Sequence, residues 1–131
     1  MGPKPDNKHP NVAGLKDPSV VRYNNKWHVF ASIVRCPGGY SMVYLNFADW
    51  SQAASAQHFF LDQSGIGPGY RAAPQIFYFE PQKLWYLIFQ AESGAANSEV
   101  GAAYSTNPNI ENPSAWTKPK LFYPAGSLCL W

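Results

Sequence analysis

Short runs of β-branched and aromatic residues recur along the chain, each bounded by turn residues. The first half carries Ser19 to Tyr23, Trp27 to Ile33, Ser41 to Asn46 and His58 to Leu61. The second carries Gln75 to Phe79, Leu84 to Gln90, Val100 to Ser105 and Lys120 to Tyr123. Runs of this length and composition predict strands. Asn24 and Asn25 separate the first two, and Asn tolerates the positive φ of a tight two-residue turn, so these strands form a hairpin. No segment sustains a helical period. The predicted fold class is all-β.

The two halves repeat one another. Asp17-Pro-Ser-Val-Val-Arg-Tyr followed by Lys26-Trp-His-Val-Phe lies over Ala73-Pro-Gln-Ile-Phe-Tyr-Phe followed by Lys83-Leu-Trp-Tyr-Leu. Pro18 and Pro74 stand 56 residues apart, and Trp27 and Trp85 stand 58 apart. Later, Asp49-Trp-Ser aligns with Ala115-Trp-Thr. Two four-strand units at a period of about fifty residues point to propeller blades rather than a sandwich. A blade buries its faces against its neighbours, so two blades leave apolar sheet uncovered. The expectation is a partial, truncated propeller: an N-terminal extension over 1–14, a first blade over 15–68 and a second over 69–123.

Composition narrows the function. Of 131 residues, 46% are hydrophobic and only 14% charged, too apolar for disorder and too interrupted for a membrane span. Ten Lys and Arg against eight Asp and Glu are scattered, so neither nucleic acid nor an anionic membrane is an expected partner. Aromatic residues reach 16%, a level suited to stacking on sugar faces as well as to a β core. Cys36 and Cys129 stand far apart and fit a disulfide, two buried thiols, or one of each. No metal-ligand spacing occurs, and the first ten residues contain no apolar leader run.

Among the carboxylates Asp17 stands out. It precedes Pro18 at the start of an inner strand, beside Lys16, where a propeller presents residues to one mouth of its channel. An Asp before Pro is also an ordinary turn initiator. Asp49, Asp62 and Glu80 sit at turns or strand ends, and Glu92, Glu99 and Glu111 are placed in loops, where capping or solvated roles are expected. The three His lack partners at ligand spacing and are read as structural. No Gly-x-Ser-x-Gly elbow is present.

Several motifs in order carry a family resemblance: Leu15-Lys-Asp-Pro-Ser-Val-Val, Trp27-His-Val-Phe-Ala-Ser, Val43-Tyr-Leu-Asn-Phe-Ala-Asp-Trp-Ser-Gln, Leu61-Asp-Gln-Ser-Gly-Ile-Gly, Gly69-Tyr-Arg-Ala-Ala-Pro-Gln-Ile-Phe-Tyr-Phe and Ala103-Tyr-Ser-Thr-Asn-Pro. From Leu15 to Tyr123 the chain resembles the front half of glycoside hydrolase family 62, the α-L-arabinofuranosidases of arabinoxylan. The resemblance implies a five-bladed β-propeller that removes arabinofuranosyl side chains with inversion, outside the cell and with no cofactor. It implies that Asp17 is the general base and that Lys16 lies in the arabinose pocket. The orienting Asp and the Glu acid belong to later blades and have no counterpart here, so the chain alone is expected to be inactive. After Tyr123 the tail over 124–131 departs from the family.

Inversion requires two carboxylates roughly 6.5 to 9.5 Å apart, one to activate water and one to protonate the leaving oxygen. The pocket walls expected from this chain are Ser32 and its equivalent Gln90 at the ends of second strands, with Tyr70 and Arg71 on the approach loop. Arg71 binds sugar hydroxyls or else holds loop carbonyls. Alternative readings are a family 43-like β-xylosidase or arabinanase, a non-catalytic carbohydrate-binding remnant, or a chain too short to fold stably. The Tyr-Arg-Ala-Ala-Pro-Gln run favours family 62.

Overall fold

The structure is a computed structural model that describes residues 9, 12–35, 39–92 and 100–122. It contains two four-stranded antiparallel sheets. The first comprises β1 (Val12–Tyr23), β2 (Lys26–Arg35), β3 (Tyr40–Phe47) and β4 (Phe59–Phe60), paired in that order. The second repeats it with β5 (Arg71–Phe79), β6 (Leu84–Glu92), β7 (Val100–Asn107) and β8 (Lys120–Leu121). Asn24 and Asn25 both take positive φ, at 51° and 60°, as the β1–β2 hairpin requires. The equivalent β5–β6 connection uses a 3-10 turn over Glu80–Gln82 that ends on Lys83 at φ 52°.

Two inner strands start earlier than their hydrophobic runs. Strand β1 begins at Val12 rather than Ser19, and β5 at Arg71 rather than Gln75. In each, pairing breaks and resumes: the register shifts between Lys16 and Ser19 in β1, and between Ala72 and Gln75 in β5. Asp17 and Ala73 sit inside these bulges at φ 53° and 54°. A bulge in front of a proline scrambles the alternation that marks a strand, which is why the leading halves are invisible to periodicity. Glu92 likewise belongs to the end of β6, not to a loop.

Alternation along β2 assigns the packing. His28, Phe30 and Ser32 face the second sheet; Trp27, Val29, Ala31 and Ile33 face the other way. Between the sheets lies the main core, where Phe30, Met42 and Tyr44 meet Trp85, Leu87, Phe89 and Ala91 of β6, closed by Leu61, Ile66, Ile110 and Trp116. On the opposite face Val29, Leu45 and Phe47 are covered by Ala53 and Ala56.

The 3-10 helix carrying Ala53, Trp50–Ser55, is capped by Asp49, whose Oδ1 accepts the Ser51 N–H at 2.9 Å while Gln52 Oε1 accepts the Asp49 N–H at 3.2 Å. Trp50 and Trp116 each follow the third strand of their sheet, but they differ in burial. Trp50 is half exposed against Trp27 and Phe47, whereas Trp116 is buried against Phe30 between the sheets.

The far face of the second sheet is different. Phe77, Tyr86, Tyr104 and Phe122 form a ladder from β5 across β6 and β7 to the residue after β8, with centroid separations of 5.4, 5.8 and 4.9 Å. Phe77, Phe79 and Phe122 are 39%, 40% and 47% exposed. By register, Tyr86 and Tyr104 occupy the places that His28 and Tyr44 hold in the first sheet, where the second sheet covers them. Cys36, Cys129, Glu99, Tyr123 and the tail over 124–131 lie outside the described residues.

Candidate active site

The two inner strands β1 and β5 lie beside one another, so their bulges meet. Asp17 is exposed there. Its left-handed backbone lifts the carboxylate out of the β1 ladder, a conformation Asp tolerates better than most residues. Pro18 removes the next N–H from the pairing, which suits a bulge.

Lys16 is also exposed; its Nζ donates to the Tyr40 hydroxyl at 3.2 Å and lies 4.4 Å from the Tyr40 ring centroid. The Tyr40 hydrogen bond and the nearby Asp17 charge raise the Lys16 pKa above its ordinary value, so the ammonium stays charged beside the carboxylate. Tyr40 packs edge-on against Tyr70, centroids 5.5 Å apart, which closes an aromatic wall beside Lys16. Tyr40 was not singled out by sequence reasoning. It stands at the edge of its strand run after Gly38 and Gly39, and only the register that places Val34 opposite it brings it near Lys16.

Ser32 requires a correction. It was expected to line the pocket wall, but it is fully buried, because β5 closes over this end of β2. Its hydroxyl accepts the Ala73 N–H at 2.7 Å and donates to Asp17 Oδ2 at 3.4 Å. Gln90 pairs opposite Ala72 as Ser32 pairs opposite Lys16. It is exposed on the far face of the second sheet, because Phe89 and Ala91 on either side of it point into the inter-sheet core. The structure therefore gathers Lys16, Asp17 and Ser32 but not Gln90.

Arg71 holds loop carbonyls. Its Nη1 donates to Tyr70 O at 2.9 Å, and Nε and Nη2 both donate to Ile66 O, at 3.4 and 3.3 Å. Burial lowers its pKa, and the Glu92 carboxylate opposes that shift. Glu92 Oε1 also accepts the Tyr70 N–H at 3.3 Å. Together Arg71 and Glu92 set the approach loop that carries Tyr70.

Asp49, Asp62 and Glu111 have structural work. Asp49 caps its 3-10 helix, and hydrogen bonds from the Ser51 side chain and backbone lower its pKa. Asp62 was expected to be solvated or to cap a turn at a strand end; its Oδ2 lies 2.7 Å from His9 Nε2 and accepts from Arg35 Nη2 at 3.3 Å. Glu111 accepts from Asn24 at 3.2 Å. His28 is buried, its Nδ1 2.7 Å from the Tyr44 hydroxyl and its Nε2 3.0 Å from the Tyr23 carbonyl. Among the described residues no three His, Cys, Asp or Glu side chains gather as a metal would need.

A family profile described as glycosyl hydrolase family 62 matches residues 5–128. The curated alpha-L-arabinofuranosidase C of Cellvibrio japonicus is 37% identical over 99% of this chain and 19% of its own length. The catalytic domain of the Coprinopsis cinerea GH62 alpha-L-arabinofuranosidase superposes with a TM-score of 0.82 at 52% identity, over 94% of this chain and 35% of that one. A further GH62 hydrolase, solved in complex with xylotriose, superposes with a TM-score of 0.81 at 51% identity, over 94% and 34% of the respective chains. The chain thus spans about a fifth of its curated relative and about a third of these solved chains.

Proposed function

Given that the chain belongs to glycosyl hydrolase family 62, we propose that it is the base-bearing part of an extracellular, cofactor-free enzyme that hydrolyses terminal α-L-arabinofuranosyl side chains of arabinoxylan with inversion. The relatives named alpha-L-arabinofuranosidase, and the one holding a xylan fragment, support the substrate class. The reading rests on Asp17: a carboxylate exposed from a left-handed bulge, beside a charged Lys16 and an aromatic pair.

In this reading Asp17 takes a proton from the water that attacks the anomeric carbon, on the face opposite the leaving xylosyl oxygen. Lys16 donates to an arabinose hydroxyl from beside the Asp17 carboxylate. Tyr40 and Tyr70 offer ring faces to the sugar. Arg71 shapes the approach loop, and Gln90 meets substrate only when further sheets enclose the channel. The acid that protonates the leaving oxygen comes from those further sheets. The aromatic ladder, which no sheet covers among the described residues while its equivalent in the first sheet is buried under the second, supports the presence of further sheets.

The test joins this chain to the remainder of the Coprinopsis cinerea domain in place of its matching segment. Release of arabinose from wheat arabinoxylan is expected from the joined protein and absent from the 131-residue chain alone. Asp17→Asn should reduce the joined protein's rate by about two to four orders of magnitude. Full activity of Asp17→Asn would sink the assignment of the base, and turnover by the isolated chain would sink the claim that its acid lies elsewhere.

A further inference from the structure

Ser32 and Ala73 present an arrangement that neither sheet explains by itself. Ala73 is an alanine held at φ 54°, a conformation costing about 1 kcal/mol for a residue with a Cβ. It sits where Asp17 sits in the first repeat but has no carboxylate to present. Its N–H instead enters the first sheet and donates to Ser32 Oγ at 2.7 Å. A serine hydroxyl has one proton. With Ala73 donating to the oxygen, that proton is directed to Asp17 Oδ2, 3.4 Å away. The distance is long for an O–H···O bond.

We propose that Ser32 is a positioning residue for the general base, aimed by the second sheet through the Ala73 N–H, so that the Asp17 carboxylate is oriented only when the two bulges are docked. The proposal rests on the reading of Asp17 as base. It also gives the strained bulge in the second sheet a purpose. A left-handed Ala73 turns its amide across the interface toward Ser32, out of the β5–β6 ladder that is interrupted at this point. Burial of Ser32 keeps competing water from the hydroxyl.

A second serine supplies the control. Ser19 Oγ accepts the Ile76 N–H at 3.1 Å, an equivalent bridge between the sheets that does not run through Asp17. In the joined protein, Ser32→Ala should lower kcat about ten- to a hundredfold, the range expected for a misplaced catalytic group, with KM within about twofold. Ser19→Ala should leave kcat unchanged even if it lowers the melting temperature as much. Ser32→Cys keeps the volume but donates weakly, and should lie between wild type and alanine. Wild-type kcat in Ser32→Ala, or an equal loss in both alanine variants, would overturn the proposal.

A readout that needs no Ser32 variant is the Ala73 amide resonance. Asp17→Asn should move it, because the acceptor's proton is directed by Asp17, while the Ile76 amide stays in place; an unmoved Ala73 amide also overturns the proposal. If Asp17→Asn is fully active, the base assignment has failed. If Asp17→Asn is dead and Ser32→Ala is normal, only the positioning role has.

Discussion

Removing the Tyr44 hydroxyl should destabilise the protein more than its single oxygen suggests, because that oxygen is the middle of a buried relay. Asn46 Nδ2 donates to Tyr44 Oη at 3.0 Å, and Tyr44 Oη donates to His28 Nδ1 at 2.7 Å. His28 Nε2 in turn donates to the Tyr23 carbonyl at 3.0 Å, which ties β1, β2 and β3 at one depth of the core. Burial pushes the Tyr44 pKa up to about 12, so the phenol keeps its proton and remains the donor. His28 is fully buried and its pKa is lowered, chiefly by desolvation, against the Tyr23 bond and the Glu111 charge that favour the cation.

Tyr44→Phe therefore strands the His28 Nδ1 lone pair where water does not reach. A buried unsatisfied group costs about 1–3 kcal/mol. At about 4 °C per kcal/mol for a domain of this size, that is a drop of about 4–12 °C in melting temperature.

The assay is thermal unfolding of the chain by circular dichroism, for wild type, Tyr44→Phe, His28→Gln and the double variant. The pH dependence has a definite sign. The folded state binds a proton on His28 less readily than the unfolded state, so His28 contributes stability above the unfolded pKa of about 6.5 that is lost as pH falls below it. The wild type should lose more stability than His28→Gln on acidification through that window. Equal stability of Tyr44→Phe and wild type, with no coupling in the double variant, would refute the relay.

Two further perturbations test the packing and the division of labour among carboxylates. Gly65→Ala places a Cβ 2.3 Å from the backbone oxygen of buried Trp116, so the loop and the β7–β8 connection must separate; a loss of about 2 kcal/mol or more in urea unfolding is expected. Asp49→Asn touches only the cap of its 3-10 helix, and should change stability by less than about 1 kcal/mol while leaving arabinose release in the joined protein within a few-fold.

What the sequence alone determined is what local chemistry controls. Alternating β-branched and aromatic runs, with Asn24-Asn25 between two of them, specify eight strands and a hairpin, and the Pro18 and Pro74 offset exposes the repeat. The Lys16-Asp17-Pro18 run marks a candidate base for the same reason, since its meaning lies in adjacent residues. Tertiary structure decided the rest. Tyr40 joins Lys16, and His9 joins Asp62, across separations that no periodicity encodes. Ser32 and Gln90 hold equivalent register positions, yet one is sealed and the other open. The reason is that burial belongs to whatever sheet lies opposite, not to the strand itself: Ser32 has the second sheet's bulge over it, while among the described residues Gln90 has no sheet facing it.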